Sequence, residues 1–308
     1  MDNYQIRKEL YDAASLYAGF DPEDESSYAN CYDGHVYADY VANGKHSREL
    51  AVTLPRTLHD HSIIDALYRF LGAYDPFDVV GVMGGHAMKR SDGLYRDVAL
   101  ISKHLTEHGK LMVSGGGPGA MEATHLGAWM AGRTDRELDE AREILLQADT
   151  FRDAGWLSSA FRVMRLFPQE RFKSLGIPTW LYGHEPSTPF ATKIAKFFDS
   201  SIREDTILTI SVGGIIFTPG SAGTIQEIFQ EAAQDHYKTC GVASPMAFMG
   251  VDFFTKEVPA YPFLEDMLAR GKYNHLLLSI SDDPEEVIQS ILAFKKEDAV
   301  TIPGKFFK

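Results

Sequence analysis

Cysteine and positive charge are both scarce in this sequence of 308 residues. Cys31 and Cys240 are the only cysteines, and they lack the CxxC spacing of a zinc site. Two cysteines this far apart do not suggest a disulfide framework, so we expect a reducing compartment and a cytoplasmic protein. Lys and Arg number 30 against 43 Asp and Glu, which gives a net charge of −13. Because nucleic acids and anionic membranes attract clustered positive charge, neither is an expected partner.

Uninterrupted apolar runs are also missing. The first ten residues include Asp2, Arg7, Lys8 and Glu9, so they lack the apolar core of a signal peptide. The longest uncharged stretch, 206–226, contains several glycines and a proline. We interpret it as a buried strand that runs into a glycine loop rather than as a membrane span, and we expect no membrane association.

Apolar runs and amphipathic stretches alternate from Asp78 onwards. This alternation is typical of repeated βα units, and it predicts an α/β fold with a mainly parallel sheet of about six or seven strands. The predicted strands are 79–83, 111–113, 177–182, 207–217, 246–251 and 276–280. Helices are predicted over 190–202 and from about Thr224, Tyr261 and Pro284, the last of these with Asp283 as its N-cap.

The domain division follows from the same change of pattern. Residues 1–75 are rich in tyrosine and show no sustained period, so we interpret them as an irregular N-terminal extension. The main domain is predicted over 76–300. Within it, 133–175 is interpreted as an insertion or lid, because its charged and aromatic residues interrupt the βα pattern. Residues 301–308 are predicted to be a tail.

Three glycine loops follow predicted strands: Gly84-Gly-His86, Gly115-Gly-Gly-Pro-Gly119 and Pro219-Gly-Ser-Ala-Gly-Thr224. In an open α/β sheet such loops lie at the carboxyl ends of the strands, where backbone N–H groups can approach an anion. One such loop is explained by a tight turn, but three together indicate a phosphate-bearing ligand. The candidate phosphate-binding residues are Gly84, Gly85, Gly115, Gly116, Gly117, Gly119, Gly220, Ser221, Gly223 and Thr224.

Three charged residues near these loops are candidates for chemistry, and each also has a structural explanation. Thr224-Ile-Gln-Glu227 matches a capping box, in which Glu227 would bond back to the helix start. Glu122 is predicted in the first turn of a helix, where the helix dipole favours a carboxylate. Arg203 follows Asp199 by four residues, the spacing of a surface ion pair.

The combination of Gly115-Gly-Gly-Pro-Gly-Ala-Met-Glu122, Arg203 and Pro219-Gly-Ser-Ala-Gly-Thr-Ile-Gln-Glu227 resembles the LOG family, whose marks are GGGxxGxM, an upstream arginine and PGGxGTxxE. Gly84-Gly-His86 and the GAMEA stretch are more similar to the nucleotide 5′-monophosphate nucleosidase branch of that family. The resemblance covers about residues 78–240. It implies a Rossmann-like, doubly wound fold and hydrolysis of nucleoside 5′-monophosphates to free base and ribose 5-phosphate.

The resemblance also implies roles for individual residues. Arg203 and Glu227 match the catalytic pair of the family, and Glu122 is a further candidate for contact with the ribose or the attacking water. The glycine–threonine part of the last motif is expected to hold the phosphate. Ser221 departs from the family, which has glycine there, so either its hydroxyl joins the phosphate cradle or the loop has another shape. Members form dimers or larger assemblies, which implies a homodimer or higher homo-oligomer here.

Two other functions fit the same sequence. A non-catalytic nucleotide sensor or carrier would use the same loops, with Glu227 only capping a helix. An NAD(P)-dependent oxidoreductase would use Gly115-x-Gly117-x-x-Ala120, which matches the dinucleotide fingerprint but follows the second predicted strand instead of the first. The hydrolase hypothesis requires neither a metal nor a cofactor, and the histidines show no metal-ligand spacing.

Overall fold

A computed structural model describes residues 6–296 of the chain. Among these residues, seven parallel strands form one sheet in the order β4-β3-β2-β1-β5-β6-β7. The sequence-predicted α/β, Rossmann-like, doubly wound fold is therefore confirmed. The strands are β1 Val79–Met83, β2 Leu111–Ser114, β3 Ser174–Gly176, β4 Lys193–Ile194, β5 Ile215–Phe217, β6 Pro245–Met249 and β7 Leu277–Ser281.

Helices cover both faces of the sheet. They are α1 Ala13–Leu16, α2 Tyr32–Ala42, α3 Leu50–Leu71, α4 Gly93–Glu107, α5 Ala120–Trp129, α6 Asp135–Leu145, α7 Trp156–Leu166, α8 Ser200–Ile210, α9 Ala222–Tyr237, α10 Ala260–Ala269 and α11 Pro284–Leu292. Because side chains alternate along a strand, Val80 and Val82 pack in one core with α4, α5 and α11, whereas Val79 and Met83 pack in the opposite core with α8 and α9. Burial on both faces explains why the strands are apolar runs rather than alternating patterns.

Several predicted boundaries agree closely with the structure. The run predicted over 79–83 is β1, and all five of its residues are buried. Asp283 caps α11 by accepting a hydrogen bond from the Glu285 N–H at 2.9 Å, and Pro284 is the first helical residue. The strong local signals of capping and burial therefore identified these elements correctly.

The predictions over 177–217 are partly wrong. The helix predicted over 190–202 is mostly extended chain that includes β4, and the strand predicted over 207–217 shortens to Ile215–Phe217. Asp199 accepts a hydrogen bond from the Ser201 N–H at 2.8 Å and so starts α8. The apolar residues that suggested a strand, Ile207, Leu208 and Ile210, are the buried side of that helix. The strand predicted over 177–182 lies earlier, at Ser174–Gly176.

Residues 6–75 are not irregular, contrary to the expectation for 1–75. They include α2 and the 22-residue helix α3, and their buried residues belong to the same core as one face of the sheet. Asp33 and Lys196 form a fully buried ion pair at 2.6 Å, and Asp60 accepts hydrogen bonds from the Phe198 and Asp199 N–H groups. The N-terminal helices therefore hold the extended chain that follows β4 in place.

The remaining domain predictions concern the end of the chain and the membrane. The predicted tail, 301–308, and the end of the main domain at 300 lie outside the described residues. Between residues 6 and 296, every helix is too short or too polar to cross a membrane. Residues 133–175 contain α6 and α7, which follow α5 and precede β3 in the sequence. These two helices pack against each other.

Candidate functional site

A cavity of about 500 Å³ opens at the carboxyl ends of β1 and β5. Strand order reverses between these two strands, since β2 lies on the other side of β1 and β6 on the other side of β5. Ligands of open α/β sheets bind at this switch point. The cavity is lined by Val82, Met83, Gly84, Gly85, His86, Gly115, Gly117, Met121, Arg152, Pro178, Thr179, Tyr182, His184, Glu185, Arg203, Glu204, Ser221, Gly223, Thr224 and Glu227.

The three predicted glycine loops meet at this cavity. Gly85 joins the other two, because its N–H donates to the Pro219 carbonyl at 3.1 Å and its own carbonyl accepts from the Ala120 N–H at 3.2 Å. A side chain at Gly84 would collide with Thr218, since a Cβ there would lie 2.0 Å from Oγ1. Glycine therefore allows the loops to pack directly against one another.

The ten candidate phosphate-binding residues divide into two groups. Seven line the cavity: Gly84, Gly85, Gly115, Gly117, Ser221, Gly223 and Thr224. Gly116, Gly119 and Gly220 do not line it, and a Cβ at any of them would press against neighbouring loops or against Thr224. Gly116 and Gly119 also have φ of +69°, a conformation that favours glycine. These three residues shape the loops, whereas the other seven can face a ligand.

Gly223 is the glycine whose environment points to a ligand. It is the second residue of α9, its φ is not positive, and no described atom lies within 4 Å of the position that a Cβ would take. Neither packing nor backbone conformation therefore requires glycine there. The space that a side chain would occupy belongs to the cavity, next to the N-terminal N–H groups of α9.

The predicted capping box at Thr224 is wrong. Helix α9 starts at Ala222 with Ser221 as N-cap, so Thr224 is the third helical residue instead of the cap. Glu227 is thus one turn inside the helix, too far along to bond back to the helix start. Its side chain lines the cavity instead, and capping no longer explains its presence.

Arg203 and Glu227 come together in the cavity from two different helices. Arg203 lies in α8 and Glu227 in α9, and the distance from Arg203 Nη1 to Glu227 Oε1 is 3.6 Å. Arg203 Nε donates to the Ile177 carbonyl at 3.0 Å, which fixes the guanidinium. Asp199, the expected surface partner of Arg203, caps α8 instead. The surface ion pair is therefore not the role of Arg203.

The Glu227 carboxyl has an unusual protonation equilibrium for a glutamate. Burial raises its pKa most, nearby Arg203 lowers it and the Glu204 carboxylate raises it again, which brings the pKa to about 7. Only 8% of the side chain is exposed. A carboxyl group that titrates near neutral pH inside a cavity is suited to proton transfer.

Glu122 does not line the cavity. It is fully buried in α5, and its two oxygens accept hydrogen bonds from Arg90 at 2.5 and 2.9 Å and from Tyr95 at 3.0 Å. Arg90 also donates to the carbonyls of Leu145, Ala148 and Trp156. Glu122 therefore joins α5 to α6 and α7, and the direct contact with ribose or water that the resemblance implied is not supported by its position.

Several side chains of the cavity lie outside the sequence motifs. Glu204 follows Arg203 directly and accepts a hydrogen bond from it at 2.5 Å, so adjacency to a motif residue was the available signal. Glu185 and Tyr182 lie in the segment between β3 and β4, which carried no motif. Arg152 is the residue of the 133–175 segment that lines the cavity.

The histidines near the loops have different surroundings. His86 and His184 line the cavity and face Glu185 at 3.9 and 3.7 Å. His125 is fully buried between the hydroxyls of Ser114 and Ser174, and burial lowers its pKa to about 3. It is thus a neutral core histidine. Within residues 6–296, no three His, Cys, Asp or Glu side chains are placed to hold a metal ion.

No protein-family model matches the chain, and no curated protein matches it either.

Proposed function

We propose that this protein hydrolyses the N-glycosidic bond of nucleoside 5′-monophosphates, which gives a free base and ribose 5-phosphate. The observation that supports this most directly is the meeting of Arg203 and Glu227 in a cavity bordered by three glycine loops. These are the residues that the resemblance to the LOG family assigns to catalysis and to phosphate binding. Membership of that family is part of the proposal.

The 5′-phosphate binds at the N-terminus of α9. The first N–H groups of a helix have no partner within the helix, and its dipole favours an anion there. Gly223 and Thr224 are in the first turn, and the open space at Gly223 lets phosphate oxygens approach the backbone closely. The Ser221 side chain borders the same space and adds a hydroxyl donor where the family has glycine.

The glycosidic carbon lies next to Glu227. Cleavage of a C1′–N bond places positive charge on the ribose ring, as in glycoside hydrolysis. Once ionised, a carboxylate beside C1′ stabilises this charge and accepts a proton from the attacking water. Glu227 is one turn along the helix from the phosphate-binding end, so anchoring of the remote phosphate positions the reacting carbon.

Product analysis with purified protein tests the proposal. AMP, GMP, CMP and UMP are incubated with the protein, and free base and ribose 5-phosphate are quantified. We expect release of both from at least one nucleotide, and we expect Glu227→Gln to lower kcat by about 10²- to 10⁴-fold without loss of fold. Glu231→Gln is the matched control, since Glu231 is buried one turn further along α9 and outside the cavity.

Other outcomes would support the alternative functions. Tight nucleotide binding without base release from any substrate would favour the sensor or carrier. The oxidoreductase requires NAD(P)(H) binding, which a fluorescence titration measures. Its fingerprint, Gly115-x-Gly117-x-x-Ala120, follows β2, whereas a dinucleotide fingerprint follows the first strand of its fold. We therefore expect a flat titration.

A homo-oligomer in a reducing cytoplasm is the remaining part of the proposal. Leu50, Leu54 and Leu58 recur every four residues along α3 and are each about half exposed or more, which gives that helix an apolar outer stripe. Cys31 and Cys240 are free thiols, as a reducing compartment would keep them. Light scattering coupled to size exclusion measures the assembly, and a monomer at micromolar concentration would contradict it.

A further inference from the structure

Glu204 is a second carboxylate at the reaction centre. It follows Arg203 in α8, and its Oε1 accepts a hydrogen bond from Arg203 Nη1 at 2.5 Å. The Oε1 atom of Glu227 is 3.6 Å from that same nitrogen, beyond hydrogen-bonding distance. The two carboxylates thus share one guanidinium, and Glu204 has the closer contact.

The other oxygen of Glu204 has no hydrogen-bond donor. Oε2 is buried, and no described residue donates to it. A buried acceptor without a partner costs free energy, so an additional donor is expected beside it. The Glu227 carboxyl lies within hydrogen-bonding reach of Glu204. A proton on Glu227 would therefore be such a donor, because two carboxylates that share a site bind one proton more readily than they ionise together.

The charges around Glu227 are consistent with one shared proton. Among the described residues, Arg203 is the cation within 4 Å of Glu227, and it is already engaged by Glu204. The remaining charged or titratable groups that line the cavity are Arg152, Tyr182, Glu185, His86 and His184. Glu231, the next acid along α9, is buried, and burial together with Asp235 raises its pKa well above the ordinary value. A neutral Glu231 adds no charge to the pair.

We infer that Glu204 and Glu227 form a proton-sharing pair in which Glu204 holds Arg203 and thereby keeps on Glu227 a proton for the departing base. This inference depends on the proposed hydrolysis of nucleotides. Glu204 is a positioning residue in it, because it acts on the reaction through Glu227. The resemblance to the LOG family assigned no role to this position.

The pair supplies and recovers one proton in each turnover. As the C1′–N bond breaks, its electron pair goes to the base nitrogen, and the base takes the proton from Glu227. The oxygen of water then bonds to C1′, and Glu227, now ionised, takes a proton from that water. One water is consumed, base and ribose 5-phosphate leave, and the pair again holds a single proton.

A leaving group that needs no proton distinguishes this role from a structural one. The base of 7-methylguanosine 5′-monophosphate carries a positive charge and leaves as a neutral molecule, whereas the base of GMP requires protonation. In Glu204→Gln, Arg203 is free to pair with Glu227 and ionise it. We expect kcat/KM for GMP to fall about 10²-fold, and kcat/KM for the methylated nucleotide to change little.

Two further variants make the comparison specific. Glu227→Gln removes the carboxylate beside C1′, so it should impair both substrates. Asp205→Asn changes the next, exposed residue of α8 and should impair neither. Circular dichroism and thermal unfolding of each variant verify the fold, and Glu204→Asp, which keeps a carboxylate, should restore part of the GMP activity.

The outcomes separate this inference from the function on which it depends. If Glu204→Gln lowers hydrolysis of both nucleotides equally, or of neither, the proton-sharing pair is wrong while the hydrolase remains. If the unmodified protein cleaves none of AMP, GMP, CMP, UMP and 7-methylguanosine 5′-monophosphate, the proposed function fails and the inference fails with it. Selective loss of GMP cleavage in Glu204→Gln would support both.

Discussion

Two arginine–glutamate pairs lie close to the glycine loops, and they differ in how completely each charge is satisfied. Arg90 and Glu122 are almost fully buried, with a closest contact of 2.5 Å, and the remaining donors of Arg90 bond to carbonyls and to Ser159. Arg203 and Glu227 face a cavity at 3.6 Å. The groups of the first pair are fully hydrogen-bonded within the protein, whereas those of the second pair can contact a ligand in the cavity.

This difference distinguishes a charge pair that is fully bonded within the protein from one that is open to a ligand. Breaking a buried, fully bonded pair exposes an uncompensated charge to a low-dielectric interior. A loosely paired carboxylate at a cavity instead keeps a perturbed pKa that a substrate can use. We therefore expect substitutions in the first pair to affect mainly stability and substitutions in the second to affect mainly turnover.

The largest expected effects are those of Arg90→Met on stability and of Arg203→Met on turnover. Arg90→Met leaves Glu122 buried without its cation and should lower the free energy of unfolding by about 3–5 kcal/mol. Arg203→Met should change stability far less and lower kcat about 10²-fold, since it removes a cation at the reaction centre. Urea unfolding and nucleotide hydrolysis measure the two effects. Adding Glu122→Leu to Arg90→Met should recover stability. If Arg203→Met destabilised the fold more than Arg90→Met does, the assignment of the two pairs would be wrong.

The second prediction concerns pH. Because Glu227 has a pKa of about 7 in the folded protein, against an ordinary value of 4.5, its protonation favours the fold. The stabilisation that this group contributes is fully present below about pH 4.5, decreases as the pH rises through 7, and is lost above 7. The melting temperature of the unmodified protein should therefore fall relative to that of Glu227→Gln over this range. A constant difference between the two would show that Glu227 titrates normally.

The smallest expected effect is at Gly223. Gly223→Ala adds a methyl group in open space within a helix, so it should stabilise the fold by up to about 1 kcal/mol. The same methyl group would occupy the proposed phosphate position and raise KM. Thermal unfolding and the KM for the cleaved nucleotide are measured together. An unchanged KM would show that the phosphate does not approach the backbone at this residue.

Much of the fold could be predicted because its signals are local. The five apolar residues of β1 and the Asp283 cap of α11 are recognisable from a few neighbouring residues. The apolar residues 207–210 were misassigned because a short buried run has the same composition in a helix and in a strand. Asp199 was interpreted as a partner of Arg203, although its side chain caps α8.

The site could be predicted only as a set of residues, without its internal arrangement. The motifs identified Arg203 and Glu227, but they could not distinguish Glu122, whose contacts with Arg90 span 32 residues of sequence. They also did not reveal that Glu204 and Glu227 both approach Arg203, since the approach of Glu227 depends on how α9 packs against α8. Contacts between elements that are distant in sequence decide which acid is available, and no local pattern contains them.

The buried pair of Asp33 and Lys196 limits how far the chain can be truncated from its N-terminus. Asp33 also accepts a hydrogen bond from Trp180 at 2.9 Å, in the segment that supplies Pro178 and Glu185 to the cavity. A shortened chain that began at residue 76 would retain every motif of the site, yet Lys196 would be left in the interior without its counter-ion. The smallest unit that keeps this fold therefore has to include the N-terminal helices, although the motifs begin only after them.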